Sequence, residues 1–394
     1  MQGYKIDHQC PQCGAPAVLE ETDRLFQCDY CRVRSYLLQK TVFRYVLPNR
    51  APAGSDLLYV PYWRFKGMLF SSAGTKIHHR FIDASHQAVD APLFPVSVGL
   101  RSQALKLKFA LPDTPGRFMA PSRPFETVMG IFTQRFSSGL PRPIYLQAHI
   151  GETLSLLYAP FYVKDSIIDA VVDRPITRGI PEKFDPDAFS AGAPADHIKF
   201  VSAICPGCGW DLEGQRDALI LTCPNCTSAW KPGRQSLDRI KVAHLPAASE
   251  NAVYLPFWRI RADVANISLS TYADLVRLAN LPKAVRKEWE TLDFCFWSVG
   301  FKVRHKDFLR LSRTMTLTQP TARLIREMPG QRLHPVTLPV KEAAESLKIL
   351  IADFAKPPQK ILPLLKKITI TPRSFLLVYV PFVEKPHELV NREY

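Results

Sequence analysis

The stretch Cys10-Pro11-Gln12-Cys13-Gly14, followed at Cys28 and Cys31 by a second Cys-x-x-Cys pair, decides how this chain is read. Fourteen residues separate the two pairs. The arrangement returns at Cys205-Pro206-Gly207-Cys208-Gly209 with Cys223 and Cys226, again across fourteen residues. Two residues between cysteines let a tight turn aim both sulfurs at one point. The glycine after the second cysteine lets the backbone fold back without a side-chain clash. The gap is long enough for a short hairpin that brings the second pair home. Val18-Leu19 and Leu25-Phe26 are its expected strands in the first set, and Leu219-Ile220-Leu221 the returning strand in the second. Four thiolates around one ion make a closed tetrahedral site with no open position for substrate, an arrangement for structure rather than catalysis.

Both segments, about residues 8–36 and 203–231, resemble the zinc-ribbon family with its rubredoxin-like four-cysteine knuckles. The resemblance implies two structural Zn2+ ions per chain, one held by Cys10, Cys13, Cys28 and Cys31 and one by Cys205, Cys208, Cys223 and Cys226. Iron is the alternative metal, because rubredoxin-like sites use similar knuckles. Disulfides are the rival use of paired cysteines. The first residues, Met-Gln-Gly-Tyr-Lys-Ile-Asp-His, lack the charged and then apolar stretch of an export signal, so a reducing, cytoplasmic setting is expected. The ninth cysteine, Cys295, lies in Phe294-Cys295-Phe296-Trp297 and reads as a buried core residue.

Every cysteine of the first set recurs 195 positions later (10 to 205, 13 to 208, 28 to 223, 31 to 226). The same shift aligns Tyr59-Val60-Pro61-Tyr62-Trp63-Arg64 with Tyr254-Leu255-Pro256-Phe257-Trp258-Arg259. With modest insertions the match continues. Ser97-Val98-Gly99-Leu100-Arg101 pairs with Ser298-Val299-Gly300-Phe301-Lys302, and Pro124-Phe125-Glu126 with Pro339-Val340-Lys341. Last, Leu157-Tyr158-Ala159-Pro160-Phe161 pairs with Val378-Tyr379-Val380-Pro381-Phe382. A tandem duplication is expected. The expected fold is α+β, mainly antiparallel β, each unit a four-cysteine zinc ribbon followed by a β-rich domain with one or two covering helices. The expected divisions are ribbon 1 over 1–40, a β-rich domain over 41–172, a proline-rich linker over 173–199, ribbon 2 over 200–235 and a second β-rich domain over 236–394.

Local patterns fill in this plan. Leu105-Lys106-Leu107-Lys108-Phe109 alternates as a half-buried strand does. Phe125, Val128, Met129, Phe132 and Phe136 recur at helical spacing, as do Leu347, Leu350, Ile351 and Phe354. Phe301 and Val303, then Leu309 and Leu311, read as strands, and a helix is expected through Val285, Trp289 and Leu292. The Tyr-x-Pro-aromatic motif is apolar on both strand faces, so it reads as core, with its proline at an edge, a bulge or a strand entry.

The 394 residues carry a net charge of +15 with 46% hydrophobic residues, which excludes a disordered chain and favours polyanions as partners. Proline outnumbers glycine 34 to 18, favouring strands and ordered loops over long helices. No apolar run is long enough to cross a bilayer as a helix. The sequence has no phosphate-binding glycine loop, dinucleotide fingerprint, His-Glu-x-x-His or Gly-x-Ser-x-Gly. His78, His79, Asp83 and His86 form the densest titratable cluster outside the ribbons and read as solvated loop residues in the absence of a motif. A non-enzymatic scaffold or adaptor for protein–protein assembly is expected. The alternatives are binding of nucleic acid or an anionic membrane surface by Lys302, Arg304, Lys306, Arg310 and Arg313, and an enzyme with an unrecognised site. The acidic ribbon tips, Glu20-Glu21-Thr22-Asp23 and Asp211-Leu212-Glu213, argue against phosphate contacts by the ribbons themselves.

Overall fold

The computed structural model describes residues 4–38, 42–99, 105–182, 184–189, 192, 194, 198–233, 236–320, 324–385 and 388–390. Leu100 and Arg101 of the repeat match, and the expected divisions at 40/41 and 235, lie outside the described residues. Strands hold 39% of the chain and helices 17%, so the protein is α+β and mainly β. The chain forms two compact units, neither continuous in sequence.

Unit 1 comprises Met1–Gly67, Ile82–Phe136 and Thr153–Ala203. It opens with two hairpins, β1 (Lys5–Gln9) with β2 (Pro16–Glu20), and β3 (Leu25–Gln27) with β4 (Arg34–Leu38). Val18-Leu19 and Leu25-Phe26 are strands as expected, but they pair outward with β1 and β4 rather than with each other. The hairpin turns are the Cys-x-x-Cys segments themselves. A tight turn that gathers two sulfurs already reverses the chain, so the gap need not.

After β5 (Phe43–Val46), the long strand β6 (Leu58–Ala73) carries the first Tyr-x-Pro-aromatic motif, and Leu58 to Tyr62 are buried throughout. It pairs with β7 (Lys76–Gln87), β9 (Arg117–Phe118) and β10 (Ile144–Val163). β8 (Lys106–Phe109) alternates as expected, with Lys106 and Lys108 exposed and Leu107 and Phe109 buried. Gly116, at φ +123°, has no room for a side chain: a Cβ there would lie 2.7 Å from the Tyr59 ring. Helix α1 (Phe125–Ser137) buries Val128, Met129 and Phe132, the centre of its expected stripe. β11 (Ile167–Asp169) and β12 (Arg174–Pro175) finish the sheet, and β13 (Lys199–Ser202) pairs with β4. The stretch read as a linker packs on this core through Ile176, Phe184 and Phe189.

Unit 2 comprises Met68–Phe81, Ser137–Glu152 and Ile204–Tyr394. Its ribbon holds β14 (Leu221–Thr222), β15 (Ala229–Pro232) and β16 (Leu237–Ile240). The main sheet runs β17 (Val242–His244), β20 (Thr369–Lys385), β18 (Ala252–Ala265), β19 (Phe296–Val299), with β21 (Glu388–Val390) beside β20. β18 and β20 pair antiparallel along their length with an irregularity at Arg261/Ala262. Helices α2 (Tyr272–Leu278), α3 (His305–Thr318), α4 (Val340–Glu345), α5 (Leu347–Phe354) and α6 (Pro358–Ile361) belong to this unit. The stripe expected through Phe354 is α5, and all four of its residues are buried.

Two expectations fail here. Phe301 and Val303 follow β19 without forming a strand, and Leu309 and Leu311 lie on α3. The buried set Phe308, Leu311, Ser312, Met315 and Thr316 repeats at helical spacing, and its polar members hide that period. Ser312 and Thr316 turn their hydroxyls to the amides of Val299 and Trp297 on β19. Val285, Trp289 and Leu292 share no α-helix, only a 3-10 turn at Lys287–Glu290. The helix lies upstream as α2, started by Thr271, which forms a capping box with Asp274.

One set of hydrogen bonds is found in both units. Trp63 Nε1 donates to the Arg123 carbonyl and Trp258 Nε1 to the Leu338 carbonyl, each at 2.9 Å. The Leu47 amide donates to the Tyr158 carbonyl and the Leu245 amide to the Tyr379 carbonyl, each at 3.0 Å. The Pro61 carbonyl accepts from Ala88 and the Pro256 carbonyl from Gly300, each at 2.9 Å. Ala88 in turn accepts from Ser122 and Arg123, and Gly300 from Thr337 and Leu338. In this set Ala88 holds the hydrogen-bond position in unit 1 that Gly300 holds in unit 2, whereas the sequence match sets Gly99 against Gly300.

Candidate metal centres and a basic cleft

Each Cys-x-x-Cys turn is built the same way. The residue after its second cysteine takes a left-handed conformation: Gly14 at φ +72°, Arg32 at +61°, Gly209 at +73° and Thr227 at +50°. The first cysteine's amide donates to the carbonyl five residues on: Cys10 to Ala15 (2.8 Å), Cys28 to Val33 (3.1 Å), Cys205 to Trp210 (2.7 Å), Cys223 to Ser228 (2.8 Å). Two such turns face each other in each unit. The four Sγ atoms of Cys10, Cys13, Cys28 and Cys31 lie within 4.8 Å of one another, as do those of Cys205, Cys208, Cys223 and Cys226.

The separations fit an ion. Cys10 and Cys31 are 3.8 Å apart, Cys13 and Cys28 3.7 Å, Cys205 and Cys226 3.6 Å, and Cys208 and Cys223 3.5 Å. Sulfurs about 2.3 Å from a central metal at tetrahedral angles stand about 3.8 Å apart. A disulfide needs about 2.0 Å. Backbone amides favour the thiolate at Cys28 and Cys205, while Cys31 and Cys223 are pushed up to about 12. Cys28 is drawn down to about 7, first by the Cys31 amide, against desolvation. In the second site Cys205 falls to about 6 although burial opposes it, through the amides of Gly207 and Cys208 and the Ser228 hydroxyl. Ser228 Oγ lies 2.9 Å from Cys226 Sγ and accepts from Trp230 Nε1 at 2.7 Å. The eight cysteines thus form two four-sulfur groups able to hold one metal ion each. Cys295 is buried, and burial pushes its thiol up, as befits a core residue.

The histidine and aspartate cluster disperses. Asp83 is taken by Arg64 in unit 1, with Nε to Oδ1 at 2.9 Å and Nη2 to Oδ2 at 3.1 Å. His86 lies edge-on to Phe132. His79, in unit 2, stacks on His305 with ring centres 3.4 Å apart.

The five basic candidates all lie at or beside α3, and two carboxylates divide them. Arg304 and Arg310 flank Asp307 at 3.5 and 3.2 Å, and Arg313 lies 3.4 Å from Asp353. Lys302 is half-buried, and its amide donates to Thr337 Oγ1 at 2.8 Å. Lys306, Arg310 and Arg313 line a cleft of about 430 Å³ in unit 2, joined there by Lys76, His79 and Lys356, while Lys302 and Arg304 lie outside its lining. Sequence reasoning missed Lys76 and Lys356, which are far from α3 in the chain. It also missed Trp210, which is 57% exposed just past a cysteine turn. The signal for Trp210 was available: a tryptophan among polar residues of a ribbon too small to bury it.

No family model, curated protein or solved structure matches this chain. No helix among the described residues is long and apolar enough to cross a membrane.

Proposed function

We propose that this protein is a non-enzymatic scaffold of two related units, each stiffened by a zinc ribbon, that presents its ribbon surfaces to protein partners in the cytoplasm. Zinc is the metal of choice for a closed four-thiolate site without redox work. The observation that carries the reading is the exposure of Trp210 (57%) and Ile204 (49%) on a turn whose geometry the cysteines fix. Tyr30, 68% exposed between Cys28 and Cys31, gives the first ribbon an aromatic of its own. Large aromatics on a rigid support are the residues that dominate protein interfaces, because little conformational entropy is lost when they are covered. The shared hydrogen-bond set of the two units supports reading them as copies.

The test is affinity capture of the full chain against its Trp210→Ala and Tyr30→Ala variants. A protein partner that co-purifies with the native chain and is lost from a variant still holding two metal equivalents is expected. A native chain recovered alone as a monomer, or an unchanged partner set in both variants, overturns the proposal.

A further inference from the structure

The cleft in unit 2 is a place where like charges converge without enough counter-charge. Its lining includes Lys76, Lys306, Arg310, Arg313 and Lys356 against the carboxylate of Asp353, with Asp307 engaging Arg310 from outside the lining. Among the described residues, none of Lys76, Lys306 and Lys356 is ion-paired with a carboxylate. Asp353 is an incomplete partner even for Arg313. Its Oδ2 is buried 3.4 Å from Nη1 yet accepts no hydrogen bond. Clustered cations repel one another and destabilise a fold.

We propose that this cleft binds a small organic anion bearing two or more linked phosphate groups. The cations come from three separate places in the sequence and converge on one concavity, whereas a backbone-tracking surface would spread them along a face. The volume, about 430 Å³, suits a small molecule. Lys306, Arg310 and Arg313 follow one another at four and three residues on α3, so they form one stripe on one face. That stripe is about 10 Å long at the rise of an α-helix, more than one phosphate spans. Guanidinium groups such as those of Arg310 and Arg313 grip phosphate oxygens in pairs, and lysines add point charge. Ile77, Leu309 and Leu362 supply apolar wall for the organic part. The local field is visible at His79, held below its ordinary range by burial first and then by His305 and Lys306.

The inference does not rest on the scaffold reading, and its test is separate. The metal-loaded full chain is titrated calorimetrically with tripolyphosphate, ATP, orthophosphate and single-stranded oligothymidylate. Saturable one-to-one binding of tripolyphosphate and ATP is expected, with orthophosphate at least tenfold weaker. The double variant Lys306→Glu/Arg310→Glu is expected to lose at least about tenfold in affinity for both, the loss of one or more charge-assisted hydrogen bonds. The variant Arg332→Glu, outside the cleft lining, is expected to bind as the native chain does. Should the charge-reversed variant melt below the native protein, Lys306→Gln/Arg310→Gln replaces it. Absence of saturable binding, binding that survives the cleft variants, or tighter binding of the oligonucleotide than of tripolyphosphate overturns the proposal.

Discussion

Asp83 holds the guanidinium of Arg64 with both of its oxygens, 2.9 Å to Nε and 3.1 Å to Nη2. Glu21 engages Nη1 from the ribbon, and the Tyr4 ring lies 3.9 Å beneath the guanidinium carbon. Arg64 is only 2% exposed, so this triad ties ribbon 1 to the sheet of unit 1 in a water-poor place. Removing the cation leaves the buried Glu21 carboxylate without its guanidinium and takes from Asp83 its two-pronged contact. Arg64→Ala is expected to destabilise the protein by about 3–5 kcal/mol, and Arg64→Met with Glu21→Gln and Asp83→Asn to recover most of it. Urea denaturation of the variants measures both; equal stability of native protein and Arg64→Ala would refute the account.

Metal content follows from the sulfur geometry. Purified protein is expected to carry two equivalents of metal. Stripping them costs the ribbons a folding contribution on the order of 10 kcal/mol each. Cys10→Ser and Cys205→Ser are each expected to lower the content by one equivalent, read by elemental analysis of the dialysed protein. Two retained equivalents in either variant would contradict the assignment of ligands.

Backbone strain at the cysteine turns is unequal. Gly14 and Gly209 occupy the left-handed region without penalty, whereas Thr227, with a branched Cβ at φ +50°, does not. Thr227→Gly is expected to stabilise the second ribbon by about 1 kcal/mol, and Gly209→Ala to weaken it by a similar amount. Chelator-challenged thermal melts give the sign of each change. A lower melting temperature for Thr227→Gly would show that its side chain contributes more than its backbone costs.

Two half-buried groups in unit 2 pull stability in opposite directions with pH. Burial pushes the Glu342 carboxyl up to about 7, and Glu345 adds to the rise, while the Gly151 amide, 2.6 Å from Oε2, and Lys341 resist it. The folded state therefore holds this proton longer than the unfolded chain, and stability falls as pH rises from 4.5 toward 7. Burial lowers His149 to about 4, so its share of stability is lost as pH falls from 6.5 toward 4. The slopes oppose each other where they overlap, and a nearly flat profile is expected there. Glu342→Gln keeps an oxygen for Gly151 and removes one slope. It is expected to raise stability above pH 7 by roughly 3 kcal/mol and to expose a climb between pH 4 and 6.5. Urea midpoints across that range decide, and a parallel shift at every pH would count against the assignment.

How much could be read beforehand depended on whether the deciding atoms were near in sequence. The two four-cysteine groups, the alternation of β8 and the stripes of α1 and α5 are local patterns, and each was legible. Helix α3 was misread because Ser312 and Thr316 face the core to serve backbone amides, which breaks the apolar period. The cleft was half legible. Lys306, Arg310 and Arg313 stood in one cluster, but nothing local to Lys76 or Lys356 announces that the fold brings them there. The Ser-Val-Gly match sets Gly99 against Gly300, but the hydrogen-bond position of Gly300 is held in unit 1 by Ala88, a relation of the folded backbone rather than of local sequence.

Phe70 and Ile150, essentially without exposed surface, belong to the core of unit 2 although they are encoded in the first half of the chain. A ribosome that has just completed Ala203 has therefore released two strips whose apolar residues still await the remaining polypeptide. Severing the gene after Ala203 would leave one fragment with bare, sticky strand ends and the other with holes. The second unit therefore closes only when both halves of the sequence have been made.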